Sequence, residues 1–210
     1  MRQTASEILF AYWNELRADR SVPRRVDIEP SRISTILPQT FIVEHHAAAS
    51  YRFRLAGTRI CEHHGQELRG QNFLGMWQPL DQHVFRRQLE LLAAYGGAAV
   101  TGIQSQTANG RSVISELIVL PLCDVDGEIN RFMGAWSLFD QAEWSGADYL
   151  TSHQVTDYEF IDPDSWSNRN VVMAPPQRTK LFPGEIDFRV VRSAHRRFRV
   201  YRGGLDTTKE

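Results

Sequence analysis

The segment Tyr51 to Trp77, YRFRLAGTRICEHHGQELRGQNFLGMW, constrains this chain more than any other stretch. Tyr51, Phe53 and Leu55 are apolar, and Arg52 and Arg54 between them are charged. That is the period-two pattern of a strand with one buried face. The pattern breaks at Ala56-Gly57. A short helix is expected next, with Ile60 and Cys61 among polar residues and Gly65 as its stop. Gly70 punctuates again, ahead of the apolar run Phe73-Leu74-Gly75-Met76-Trp77. Helices this short do not stand alone in water, so they need a sheet face to lie on.

The flanking sequence supplies that sheet. Leu9, Tyr12, Trp13 and Leu16 recur at three- and four-residue spacing, widened by Ile8, and predict an amphipathic helix over about 5–18. Thr4-Ala5-Ser6-Glu7 fits a capping box at its start. Such a stripe packs on its own domain or on a second copy of the chain. Because Tyr and Trp are favoured at interfaces, Leu9, Tyr12, Trp13 and Leu16 are interface candidates. Pro30 suits the first position of a second short helix carrying Ile33, Ile36 and Leu37, which Pro38 ends. Gln39 to Glu44 reads as a first strand, forming a hairpin with the strand at Tyr51.

A longer helix is expected over about 79–94. Its buried stripes are Leu80, Val84, Leu91 and Phe85, Leu89, Leu92, and Gly96-Gly97 closes it. Three strands follow, over about 98–106, 112–122 and 131–139. Asn109-Gly110 and Asp126-Gly127 mark the turns between them. The expected fold is therefore α+β: a five-stranded antiparallel sheet capped by short helices, with an N-terminal amphipathic helix and a C-terminal extension. The expected divisions are 1–26 for the helix, 27–140 for the sheet domain and 141–210 for the extension.

Charge is unevenly placed. Residues 175–210 hold nine Lys/Arg and four Asp/Glu, a net of +5; the remaining fifteen and twenty-one give residues 1–174 a net of −6. Arg189 to Arg202 could meet an acidic partner, but its simpler reading is a solvated tail or a strip folded over the acidic body. With an overall net charge of −1, nucleic acid is a poor candidate partner. No apolar run reaches membrane-spanning length, and the N-terminus lacks a secretory pattern. Cys61 and Cys123 are far apart and in no metal or redox motif, which fits a reducing cytoplasm.

With these residues in view, the chain resembles a known family. The stretches LFAYWNEL, PSRISTILPQTFIVE, RLAGT followed by ELRGQNFL, and RFMGAWSL are similar to bacterial short single-PAS proteins, long catalogued as a domain of unknown function. The resemblance covers about residues 5–140. It implies a PAS fold and a role in signal transduction through small-molecule sensing, protein interaction or both. It names no ligand.

PAS cores often hold a ligand between sheet and helices. The candidate lining is Phe53, Leu55, Ile60, Phe73, Trp77, Phe85, Ile103, Leu117 and Trp136; the alternative is that these form a packed core. In Gly70-Gln71-Asn72-Phe73-Leu74, Phe73 stands where light-sensing PAS domains carry the cysteine that bonds flavin, which argues against flavin-cysteinyl photochemistry. His83 on the long helix is a candidate haem ligand. Neighbouring histidines point apart, so the pairs His45-His46 and His63-His64 do not chelate one metal easily. No nucleophile elbow, Walker loop, GxGxxG turn or HExxH helix occurs. The expected role is a stand-alone, non-enzymatic regulatory or sensor module. It would act as a homodimer, through a separate signalling protein, or through a small ligand; a haem- or small-molecule-binding sensor is the alternative.

Overall fold

The computed structural model describes residues 1–47, 50–139 and 147–166. In chain order the helices are α1 (Thr4–Arg17), α2 (Thr58–His64) and α3 (Pro79–Tyr95), with a last turn, α4, at Pro163–Trp166. The strands are β1 (Thr40–Ala47), β2 (Ser50–Ala56), β3 (Ala98–Thr107), β4 (Ser112–Cys123), β5 (Ile129–Leu138) and β6 (Leu150–Ile161). Short 3-10 turns occupy Pro30–Ile33 and Phe73–Met76. Pro30 opens the first of these, as expected.

One antiparallel sheet runs in the order β2-β1-β5-β4-β3-β6. It has six strands where five were expected. The extra strand comes from the segment read as an extension. TSHQVTDYEF is polar on both faces and carries no turn signal, so periodicity does not reveal it. It nevertheless pairs with β3 from Ala98↔Ile161 to Thr107↔Leu150. The basic stretch 189–202 lies outside the described residues.

The two open edges of the sheet differ. Along β2, the N–H of Phe53 donates to Gln71 O (3.0 Å), and that of Gly70 to Phe53 O (2.8 Å), so the Gly70–Asn72 loop closes this edge. Asn72 Oδ1 accepts from the N–H groups of Tyr51 (3.1 Å) and Leu74 (3.3 Å), pinning the 3-10 turn to the strand. Among the described residues, β6 has β3 as its one strand neighbour, and the N–H of Val155 donates to Asp81 Oδ2 on α3 at 3.3 Å.

The sheet is buried on both faces. On the inner face, beneath α2, the Phe73–Met76 turn and α3, lie Phe41, Phe53, Phe73, Trp77, Phe85 and Trp136. On the outer face, α1 sets Leu9, Phe10 and Trp13 against Ile118, Leu120, Met133 and Ala135. Trp13 is fully buried, and its Nε1–H donates to Pro121 O at 2.8 Å. The expected interface residues are therefore corrected. Leu9, Tyr12 and Trp13 are buried inside their own domain, and Leu16 packs half-buried beside them. Their apolar stripe is satisfied by the outer face of β4 and β5.

The capping box at Thr4–Glu7 does not form. Gln3 is the N-cap, and no side chain of its own caps the helix. Instead the N–H groups of Arg2 (2.8 Å) and Gln3 (3.1 Å) donate to the carboxylate of Glu116, which is 1% exposed on β4. The carboxylate gains the favourable end of the helix dipole, and the helix start gains an acceptor.

At Gly134 the strands come closest to a neighbour. A Cβ there would run into the Phe41 ring and Ile118 O, so only glycine fits. At Gly110, φ is +81°, which allows the tight β3–β4 turn anticipated from Asn-Gly.

Candidate functional site

The inner face holds the residues expected to line a ligand pocket, and it brings most of them together. Phe53, Ile60, Phe73, Trp77, Phe85, Ile103, Leu117 and Trp136 are all 3% exposed or less and belong to one cluster. Leu55 is the exception. Val43 pairs with Phe53 while Ile42 pairs with Leu55, so a bulge at Arg54 breaks the alternation. The extra residue turns Leu55 outward, where it is 44% exposed.

The rings of this cluster touch one another. Phe73 stands 5.6 Å from Trp77 and 5.2 Å from Phe85, centroid to centroid. Trp77 lies 4.0 Å from Phe85 and 5.4 Å from Trp136. Such offset and edge-on contacts between rings stabilise a core beyond their buried area. Beneath α3 these rings pack against one another as part of the core. Gln88, 1% exposed on α3, exchanges hydrogen bonds of 3.1 and 3.2 Å with Thr101 on β3 and fixes the helix over the sheet.

His83 is exposed on α3, on the side away from Phe85, Leu89 and Leu92. It faces water rather than the cluster, so the expectation that it could hold haem from within the fold is corrected. Leu80, expected in a buried stripe, is 76% exposed. The helix lays down the Phe85, Leu89 and Leu92 stripe, which rotates Leu80 off the sheet.

A polar patch adjoins the aromatic cluster, built from histidines that sequence reading did not bring together. His64 ends α2 and His153 lies on β6; they are 8% and 4% exposed. Their ring centroids are 5.1 Å apart, and each lies close to Trp136, at 4.9 and 5.1 Å. His64 Nδ1 lies 2.7 Å from Ile60 O. A carbonyl only accepts, so Nδ1 carries the proton and Nε2 keeps a bare lone pair. That Nε2 and Trp77 Nε1 are buried without a hydrogen-bond partner. His153 Nδ1 lies 2.8 Å from Ser105 Oγ, and Trp136 Nε1–H donates to Ser115 Oγ at 3.0 Å. Burial pushes the His64 imidazole down to about 4, and the charge of His63 adds to this. Burial, with the charge of His64, pushes His153 down to about 3. Both rings are neutral at physiological pH.

Cys61, one turn before His64, directs its thiol to Glu67 Oε1 and Ala56 O at 3.6 and 3.8 Å. Burial raises its pKa, and the charge of Glu67 adds to that, so it is a poor nucleophile. Phe73 stands inside the ring cluster, 5.7 Å from Phe53 and 5.2 Å from Phe85. Among the described residues, no three His, Cys, Asp or Glu side chains are grouped to hold a metal ion. No described helix is long and apolar enough to cross a membrane.

A family model described as a PAS domain matches residues 1–137. No curated protein matches the chain. Among solved structures, a light-oxygen-voltage domain studied with a flavin analogue is 13% identical, covering 56% of this chain and 87% of its own, at a TM-score of 0.41. The light-oxygen-voltage protein of Rhodobacter sphaeroides is 12% identical, covering 57% and 74%, at a TM-score of 0.40. An RNA-binding light-oxygen-voltage receptor is 15% identical, covering 56% of this chain and 33% of its own, at 0.39.

Proposed function

Because this chain belongs to the PAS-domain family, whose model spans residues 1–137, we propose that it is a regulatory module whose output is contact with another protein. Membership makes it a sensory or regulatory module. The finer reading is that it has no catalytic output, pairs as a homodimer in the cytoplasm, and engages a separate signalling protein.

One observation carries the reading: the outer side of β6. This twelve-residue strand has a partner along one side among the described residues. A strand edge presents N–H and C=O groups that another strand can complete. The opposite edge, at β2, is already closed by Gly70–Asn72. The α1 stripe is used up on the outer face. Along β6 the N–H of Val155 already donates to Asp81 Oδ2 at 3.3 Å, and the reading rests on the rest of this edge.

The test is light scattering of the full chain over a range of concentrations, followed by hydrogen exchange. A dimer whose 150–161 amides gain protection as it forms supports the reading. A mass of 24.1 kDa throughout would remove the homodimer. A dimer that leaves those amides unchanged would move the interface elsewhere.

A further inference from the structure

A groove of about 630 Å³ runs between α3 and the open end of the sheet. It opens beside the inner-face cluster, with which it shares Tyr51 and Phe132. One wall is a single stripe of α3, where Arg86, Glu90 and Ala93 recur at i, i+4 and i+7. The other wall is Tyr51 on β2 and Phe132 on β5, whose rings meet edge-on at 5.9 Å. His45 on β1 stacks near Tyr51 at 4.9 Å and stands exposed at the mouth.

The groove is apolar at its floor and carries a few convergent polar groups. Phe132 is 1% exposed and Tyr51 6%. Arg86 is half-buried, and its Nε is buried with no hydrogen-bond partner. That nitrogen is closed to the groove, and the edge formed by the two terminal nitrogens of a guanidinium matches a carboxylate in two parallel bonds. The nearby acid, Glu90, lies 3.6 Å from Arg87 and is half exposed. Burial raises the pKa of the Tyr51 hydroxyl, with Glu90 adding and Arg86 opposing, so it stays a neutral donor beside both.

We infer that this groove binds a small organic monocarboxylate with an apolar body. Arg86 takes the carboxylate through its terminal Nη groups, Tyr51 donates to it, and Phe132 and Ala93 receive the hydrocarbon. Glu90 at the rim repels a second negative charge, so monoanions are preferred over dicarboxylates. The volume suits a ligand of this size. The inference deepens the sensor reading by naming a ligand class and a place for it. It does not depend on how the chain dimerises.

The experiment is calorimetric titration of the full chain with 4-phenylbutyrate, its neutral amide, and a dicarboxylate of similar length. Saturable binding of 4-phenylbutyrate, weakened about tenfold or more in the amide, is expected. Arg86→Gln should weaken the carboxylate by a similar factor, and Arg87→Gln should leave it unchanged. Absence of saturable binding at millimolar probe overturns the inference. So does equal binding of acid and amide, or equal loss in the Arg86 and Arg87 variants. Should Arg86→Gln fail to fold, the acid-against-amide comparison on the unaltered chain decides alone. Failure here leaves the β6 interface standing, because light scattering and hydrogen exchange read that separately.

Discussion

His64 on α2 and His153 on β6 face each other across 5.1 Å, both buried and both neutral. Their folded pKa values, about 4 and about 3, lie below the ordinary value of 6.5. The folded state therefore resists protons that the unfolded chain accepts. The stability this supplies is complete above pH 6.5 and is lost as pH falls toward the folded values. Each histidine contributes a slope of up to ~1.4 kcal/mol per pH unit in that window. Urea unfolding between pH 7.5 and 5 should show this decline, and the paired change His64→Gln with His153→Gln should flatten it. An unaltered slope in the double variant would refute the assignment.

Glu116 is the acceptor at the start of α1. Glu116→Ala removes it and leaves the Arg2 and Gln3 N–H groups without their carboxylate, at a cost of about 2–4 kcal/mol. Glu116→Gln keeps a carbonyl acceptor and should cost less. Hydrogen exchange over residues 4–10 should accelerate in the alanine variant more than exchange in the inner strands. No loss in either variant would mean that the charge and its two hydrogen bonds are not what holds the helix.

Trp13→Ala should destabilise by about 3–5 kcal/mol, the range for deleting a buried aromatic side chain. The loss should appear in denaturant midpoint at any protein concentration. Were Trp13 instead an intermolecular contact, the effect would depend on concentration and fall on the dimer mass.

The bulge at Arg54 sets up a paired comparison on one strand. Phe53→Ala should cost about 3–5 kcal/mol, whereas Leu55→Ala, two residues on, should stay within about 0.5 kcal/mol. A large loss at Leu55 would place that side chain indoors after all.

Gly134→Ala places a methyl against the Phe41 ring and Ile118 O, with backbone on one side and a packed ring on the other. A destabilisation of about 1–3 kcal/mol or more is expected, read by thermal melting. A neutral result would show that β1 and β5 can part without penalty.

Much of the sheet was legible because its signals are local. Asn109-Gly110 and Asp126-Gly127 mark turns, and both sites are turns, with the second shaped by Asp124 Oδ1 accepting from the N–H groups of Asp126 and Glu128. Pro79 and Gly96 bound α3 as read. What stayed hidden depends on distant partners. Periodicity marks the buried stripe of α1 but not the surface that buries it. A regular alternation cannot announce the bulge that expels Leu55. His64 and His153 are far apart in sequence, and only strand pairing brings them together. Glu116 left a trace that could have been used: a lone acid inside the apolar run SVISELIVLPL. Such a residue needs a donor set, and the nearest helix start supplies one.

The sixth strand has a practical consequence. A fragment trimmed at Leu138, close to where the family match ends, would strip β3 of its neighbour from Ala98 to Thr107. It would also take away one of the two facing imidazoles and uncover Trp136. Such a fragment would be sticky, inclined to clump through its bared flank, and its behaviour would misrepresent the intact molecule. Anyone trimming this protein should keep the chain through Ile161.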